Sequence, residues 1–285
     1  MDPNIDNAKS LFKKNKFQET IDACNQILAN DSDSIQALKL ISKAFLAIRK
    51  PEDARSYLNK VLALEPDNYV VIKDLGNIYQ AIGDVNTAKN YYQKALAINS
   101  SYAPALTNLG SIELKVGNKK DALSLLIKAT ESNPRLVPAW VNLANIYIQL
   151  NKLEEAEKST RKAIELKPNL ADANYNLGNI LIASRKMLEA EKYLRKAIEI
   201  DPNIAEAHLG LGVLLRGRGE LNEAESQVIE AIKINPQKYT AYFLLSDINI
   251  ERKNYQEAAK TLNKVIEIQP DFFQAHLNLG GILKD

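Results

Sequence analysis

The sequence predicts an all-α solenoid of stacked helix–turn–helix units, and three series of residues on one spacing predict it. Six of the ten prolines, Pro66, Pro134, Pro168, Pro202, Pro236 and Pro270, stand 34 residues apart or at a multiple of it, with Ser32 and Ser100 in the two vacant places. Alanines keep the same period at Ala54, Ala88, Ala122, Ala156, Ala190, Ala224 and Ala258, with Thr20 in the first place. Small residues form a third series: Ala8, Ser42, Gly76, Gly110, Ala144, Gly178, Gly212, Ser246 and Gly280. A fixed period of roughly 20–50 residues marks units that cannot bury their apolar faces alone and stack on their neighbours.

Residues 69–102 show how one unit is built. Ile72, Leu75, Gly76 and Tyr79 follow the three-and-four spacing of a helical face, which predicts a first helix, A. A turn follows at the place occupied in successive units by Asn15, Arg49, Gly83, Gly117, Asn151, Arg185, Gly219 and Lys253. A helix end there favours a residue free to take positive φ, so strain is expected at Arg185. A second periodic run through Ala88, Tyr92, Ala95 and Ile98 predicts helix B, and the proline place ends the unit. The small residues imply close packing: helix A against helix B at Gly76 and its equivalents, helix B against the next helix A at Ala88 and its equivalents. Eight such units span residues 1–272 as a single array, and residues 273–285 begin a ninth helix A.

The run Trp140, Leu143, Ala144, Tyr147, Ala156, Ala163, Pro168 resembles the tetratricopeptide repeat signature, and the other units match it with substitutions. The resemblance covers essentially the whole chain. It implies a right-handed superhelix with A helices lining a concave groove, and a role in binding peptides and proteins without chemistry of its own.

Composition narrows the function further. The 37 basic and 35 acidic residues leave a net charge of +2, so no global field draws the chain to nucleic acid or to an anionic membrane. No stretch approaches the ~20 apolar residues of a membrane span, and the first residues carry no signal pattern, so a cytoplasmic protein is expected. Cys24 lies at an apolar place and reads as a buried structural thiol. His208 and His276 are two units apart at the fourth place of their repeats and read as packed rings rather than metal ligands. Ser10–Lys13 and Ser159–Lys162 match a Ser-x-x-Lys pattern without its companion motifs. Gly210-Leu211-Gly212 has Leu215 where a dinucleotide fingerprint needs its third glycine. No catalytic set, metal site or cofactor is expected.

Counting places from the start of each unit, removal of the core places 4, 7, 8 and 11 leaves places 2, 5, 6, 9, 12 and 13 of helix A for the groove. Place 6 carries Asn108, Asn142, Asn176 and Asn278, and place 9 carries Asn77, Asn145 and Asn179. Asparagine is a mediocre helix former, and its amide offers the donor and acceptor that a peptide backbone needs. These amides are expected to hold a ligand backbone; the alternative is that they bond between neighbouring turns. The row resembles the asparagine ladder in the repeat domain of O-GlcNAc transferase. A second groove of this family, the clamp for C-terminal carboxylates, would be matched by Lys73, Asn77 and Asn108, but Pro138 and Asn142 stand where its last Lys and Arg belong.

Charge in the groove is segregated. Lys9, Lys13, Lys39, Lys43, Lys73, Lys115 and Arg135 face Asp2, Asp6, Asp67 and Asp74 in the first half. Asp172, Glu206, Asp247, Glu251 and Asp271 face Arg216 and Lys238 in the second. Place 5 changes from Lys39 and Lys73 to Val141, Tyr175, Leu209, Phe243 and Leu277, an apolar row that reads either as a binding floor or as side chains leaning on neighbouring helices. The expected peptide-binding set is Lys39, Lys43, Lys73, Asn77, Asn108, Asn142, Asn145, Asn176, Asn179, Tyr175 and Phe243. The leading function is a non-enzymatic scaffold that holds an extended segment of a partner protein. The alternative is the recognition arm of a larger enzyme, glycosyltransferase-like or another modifying enzyme. A third reading is self-association through the C-terminal helix, because Phe272, Phe273, Leu277, Leu279, Ile282 and Leu283 resemble an interior helix A with no helix B to cover them. The polar first helix, by contrast, suits an outer cap, and the chain is expected to be cut from a longer protein or covered at its raw end.

Overall fold

The computed structural model describes residues 3–284, and among them are seventeen α-helices and no strand. They come in pairs: α1 (Pro3–Lys13) with α2 (Phe17–Asn30), α3 (Ile35–Ala47) with α4 (Pro51–Leu64), α5 (Tyr69–Ala81) with α6 (Val85–Ile98), and α7 (Ala103–Lys115) with α8 (Lys119–Ser132). Then follow α9 (Val137–Gln149) and α10 (Leu153–Leu166), α11 (Ala171–Ala183) with α12 (Met187–Ile200), α13 (Ala205–Gly217) with α14 (Leu221–Ile234), and α15 (Tyr239–Glu251) with α16 (Tyr255–Ile268). The unpaired α17 (Phe273–Lys284) is the ninth helix A. From α3 onward every A helix, and from α2 every B helix, starts 34 residues after the one before, as the periodicity predicts. The chain is thus an all-α helical repeat fold. Its contacts divide it into two compact units, Met1–Ile146 and Tyr147–Asp285, and the division falls inside α9.

Each turn after an A helix takes the left-handed conformation at the expected place. Gly83, Gly117 and Gly219 have φ of 88°, 89° and 80°, and Asn15 and Asn151 have 59° and 54°. Arg185 is there at 60°, and Arg49 and Lys253 share the strain at 61° and 62°. The B helices α10 and α12 end on a residue in extended geometry, Lys167 and Asp201, before their prolines. Asp31 and Asn99 take the same path before serine, so the stacking holds this backbone where proline does not dictate it.

Within each repeat, helix A meets helix B over the small residue at place 8. A Cβ on Gly76 would lie 2.6 Å from the Tyr92 ring, one on Gly110 2.9 Å from Leu126, one on Gly178 2.7 Å from Leu194, and one on Gly212 2.9 Å from Val228. All four partners stand at place 24. Alanines at the second small place sit in the seam to the next repeat; Ala88 packs with Tyr92, Leu109 and Ile112. The core is wider than the sequence reading allowed. Places 3 and 10 are buried as well, through Ala37, Val71, Ala105, Ala139, Ala173, Ala207, Ala241 and Ala275, and through Ala44, Ile78, Ile112, Ile146, Ile180 and Ile248. Alanine at place 3 leaves room for the preceding B helix, as Ala105 does beside Ala95 and Ile72.

Place 4 has a second use that the sequence did not reveal. Its side-chain N–H groups reach back six residues to the carbonyl of the preceding proline: Trp140 Nε1 to Pro134 at 2.9 Å, and Asn174 Nδ2 to Pro168 at 3.1 Å. His208 Nε2 lies 3.0 Å from the Pro202 carbonyl and His276 Nε2 2.8 Å from that of Pro270. His208 is buried as expected, with Nδ1 2.8 Å from Gln227. His276 is exposed, a correction to the packed reading, because no helix after α17 is described that could cover it. Phe273, Leu277 and Leu283 are 73%, 54% and 74% exposed on the same helix. In α1, Ile5 and Ala8 are buried while Asn4, Asp6, Asn7, Lys9 and Ser10 face outward. Cys24 is buried among Ile21, Ile27 and Ile41, and burial pushes its thiol up to about 11.

Glu113 occupies place 11, where Tyr79, Tyr147, Leu181 and Leu215 stand in other repeats, and its side chain is only 5% exposed. Lys89 on α6 reaches one carboxylate oxygen at 2.6 Å, and Asn118 Nδ2 donates to the other at 2.7 Å. The Lys89 and Asn118 hydrogen bonds hold the carboxyl below its usual range against the cost of burial.

Two outcomes follow from this packing. Gly178→Ala should lower stability by about 1–2 kcal/mol, because Leu194 must move and the gain in helix propensity does not compensate. Gly280→Ala, with nothing within 4 Å of its added Cβ, should instead hold or raise stability by up to about 1 kcal/mol. Denaturant unfolding of the pair checks this, and equal shifts would remove the close approach as the cause. A depressed carboxylate contributes stability above its unfolded value of about 4.3 and loses it as pH falls through the folded value. Glu113→Gln should therefore cost about 1–3 kcal/mol at pH 7, and the gap in melting temperature should close below about pH 4. A gap that stays constant down to pH 3 contradicts the assignment.

Candidate functional site

With places 3, 4, 7, 8, 10 and 11 buried or leaning on neighbouring helices, the remaining face of each A helix is available to a ligand. The two units present different chemistry there.

In the Tyr147–Asp285 unit, residues from α11, α13 and α15 line one cleft of about 470 Å³. Place 5 supplies Tyr175, Leu209 and Phe243; place 9 supplies Asn179, Val213 and Asp247; Arg216 comes from place 12 and Glu206 and Thr240 from place 2. The structure therefore brings Tyr175, Asn179 and Phe243, three of the residues singled out above, to one cleft. Tyr175 and Leu209 are half-buried against the core around Leu211, and Phe243 meets Phe272 edge-on with centroids 5.0 Å apart. Tyr175, Leu209 and Phe243 of the apolar row thus both pack on neighbouring side chains and line the cleft. Val213, 51% exposed, is the floor residue that the sequence reading missed, although its place-9 position marks it. Arg216 bonds two carboxylates, Asp247 at 2.8 Å and Glu251 at 2.6 Å. Burial raises the Asp247 carboxyl above its ordinary range; Arg216 opposes this and Glu251 adds to it.

In the Met1–Ile146 unit the expected cations are largely spoken for. Lys73 pairs with its neighbour Asp74, and Lys39 lies 3.5 Å from Glu65. Lys43 is exposed at place 9 of α3. Asn77 and Asn108 bond to each other: Asn108 Nδ2 donates to Asn77 Oδ1 at 2.7 Å. The Tyr92 hydroxyl lies 2.9 Å from the same oxygen and 2.7 Å from Gln80 Oε1. It has one proton, so it donates to one and accepts from the other amide when that turns over. Burial pushes this hydroxyl up to about 12. Asn77 and Asn108 thus tie α5 to α6 and α7 rather than standing free. Asn142 and Asn145 are half-buried at the same places of α9, and Asn176 is half-buried on α11.

Local pairing also reduces the charge contrast between the halves. Lys9 lies 3.5 Å from Asp6, Lys238 2.6 Å from Glu206, and Arg216 serves both of its acids. Asp2 lies outside the described residues. Among the described residues no group of three or more His, Cys, Asp or Glu side chains is placed to hold a metal ion. No helix is long and apolar enough to cross a membrane.

The family model of the cilia and flagella-associated protein 70 C-terminal domain, a tetratricopeptide array, matches residues 19–275. The chain belongs to this tetratricopeptide repeat family. A search of curated proteins finds no match. Among solved structures, this tetratricopeptide chain is similar to YrrB, a repeat protein with an unusual peptide-binding site, at 27% identity and a TM-score of 0.58 over 66% of this chain and 96% of that one. It is also similar to PilF of Pseudomonas aeruginosa, at 20% identity and a TM-score of 0.68 over 77% and 98%. The Cut9–Hcn1 hetero-tetramer of the APC/C gives 16% identity and a TM-score of 0.66 over 97% of this chain and 54% of that one. At those identities the last two show the fold alone.

The Asn77–Asn108 bond changes what truncation should do. Asn108→Ala leaves Asn77 short of a donor and should cost about 0.5–1.5 kcal/mol, offset by part of the gain in helix propensity. Asn179→Ala, on the cleft wall, should leave the melting temperature unchanged or raised. Thermal unfolding of both variants checks this; equal behaviour would mean that the tetratricopeptide amides act alike in both units.

Proposed function

We propose that this tetratricopeptide chain is a non-enzymatic scaffold that holds an extended segment of another protein along the free face of its A helices. The cleft of the Tyr147–Asp285 unit carries this reading. It combines an apolar floor at Tyr175, Leu209, Val213 and Phe243 with polar walls at Asn179, Asp247 and Arg216. A floor of this kind gives a ligand side chain apolar contact, while amide and charged groups at its edge orient the backbone. The likeness to YrrB, a protein with a peptide-binding site, supports the same reading. Asn179 on the cleft wall is assigned to the ligand backbone, in the manner of the O-GlcNAc transferase ladder. Asn77 and Asn108 are committed to Tyr92 and to each other. Lys39, Lys43 and Lys73 then have a secondary part, in steering a ligand rather than seating it.

The test uses 12-residue peptides selected by the intact chain from a random display library. Val213→Lys lays a long cation across the floor at an exposed position, so the fold should hold while affinity for the selected peptides falls at least about tenfold. Lys260→Glu on the B-helix side should leave affinity unchanged. Failure to select any peptide, or equal binding by Val213→Lys, would sink the groove as the binding site.

A further inference from the structure

The cleft of the Tyr147–Asp285 unit does not end at Asp247. A second hollow of about 670 Å³ shares Arg216 and Asp247 with it and adds Glu251, Tyr255, Leu277 and Asn278. On the other side Val213 also lines a mainly apolar hollow of about 330 Å³ with Met187 and Leu188, the latter 77% exposed. Val213 thus borders both the main cleft and the Met187–Leu188 hollow, and Arg216 and Asp247 border both the main cleft and the charged one.

The charged end has an excess of negative charge. Glu206 is matched by Lys238 at 2.6 Å, so that pair cancels. Asp247 and Glu251 share the guanidinium of Arg216, so among the described side chains that line this hollow two carboxylates meet one cation. Asp247 is also half-buried, and its carboxyl lies above the usual range for that reason first. A second cation brought into the hollow would relieve both the desolvation of Asp247 and its repulsion from Glu251. An incoming carboxylate would have to compete with two acids for one arginine.

From this arrangement we infer that the segment held here carries an apolar side chain seated on Tyr175, Leu209 and Val213, and a Lys or Arg three to four residues away seated between Asp247 and Glu251. The spacing follows from the fold. Packed helix axes lie about 8–10 Å apart, and the two seats are separated by one to one and a half A-helix intervals. An extended chain advances roughly 3.3 Å per residue, so three to four residues bridge them. The inference rests on the groove being a peptide site, and it adds the class of ligand that the site takes.

The experiment uses a panel of labelled 12-residue Gly/Ser peptides carrying one Leu and one Lys at separations from one to eight residues, in both orders. Matching peptides replace Lys by Glu or Leu by Ser, and binding to the intact chain is read by fluorescence anisotropy. Tightest binding is expected at separations of three or four, with Lys preferred over Glu by about tenfold and Leu over Ser by a similar factor. Asp247→Asn with Glu251→Gln should reduce the Lys preference to about twofold or less at low salt while leaving the Leu preference intact. Melting curves confirm that the variant is folded, and Glu251→Gln alone, at a more exposed site, gives the same direction if the double variant is not. A preference for Glu over Lys would assign the seat to Arg216 and overturn the inference, as would binding independent of spacing. In both of those cases peptides still bind and the groove reading stands; a panel without binders, together with an empty library selection, removes both.

Discussion

The close passage of helix A over helix B at places 8 and 24 is the contact on which the remaining structure depends. A Cβ added at any of four glycines at place 8 would lie only 2.6–2.9 Å from Tyr92, Leu126, Leu194 or Val228. That approach fixes which side of helix A turns toward its own helix B. The alanines at place 3 then fix which side turns toward the helix B before it. A helix held on two flanks has one face left, and that face is where the clefts form. The groove is thus a consequence of small residues placed elsewhere, which is why its own residues are free to vary from Lys43 to Asn179 to Asp247 at a single place.

The same geometry explains why charge counted along the sequence overstates the field in the groove. Stacking brings successive A helices side by side, so a charge at one place meets its opposite about 31–35 residues later, as Arg216 meets Asp247 and Glu251 and Glu206 meets Lys238. The B helices do likewise on their own side. Arg161 joins Glu157 to Glu189 and Arg195 joins Glu191 to Glu223, while Arg252 in the turn after α15 reaches Glu225 on α14. Such partly exposed pairs contribute little individually to stability. Their regular recurrence instead penalises a slip in register between repeats.

Polar groups in this fold are shared between structure and recognition, and the two tetratricopeptide units divide them differently. In Met1–Ile146 the amides of Asn77, Asn108 and Gln80 are absorbed by the Tyr92 hydroxyl, which stands where Leu or Val sits in the other glycine-bearing repeats. In Tyr147–Asp285 that partner is Leu194 or Val228, which makes no claim on an amide, and Asn179 remains on the cleft wall. One tyrosine thus changes the use of a neighbouring asparagine row without altering the backbone.

The sequence by itself determined the repeat length, the helix pairs, the left-handed turn at all eight expected places from Asn15 to Lys253, and the burial of the alanine series and of Gly76, Gly110, Gly178 and Gly212. These are local or nearest-neighbour properties: a period, a turn φ and a side-chain volume all survive in a one-dimensional reading. It also placed Tyr175, Asn179 and Phe243 on one face, because helical spacing alone puts places 5 and 9 side by side. What only the tertiary structure decided was which of those groups are still free. Whether an asparagine meets another asparagine, a tyrosine hydroxyl or open space depends on a residue about thirty positions away on a different helix. Arg216 with its two acids, Val213 at the junction of two hollows, and the reach of Trp140 and His208 to proline carbonyls are all of this kind. Helix periodicity specifies the direction of a side chain, and only packing specifies its partner.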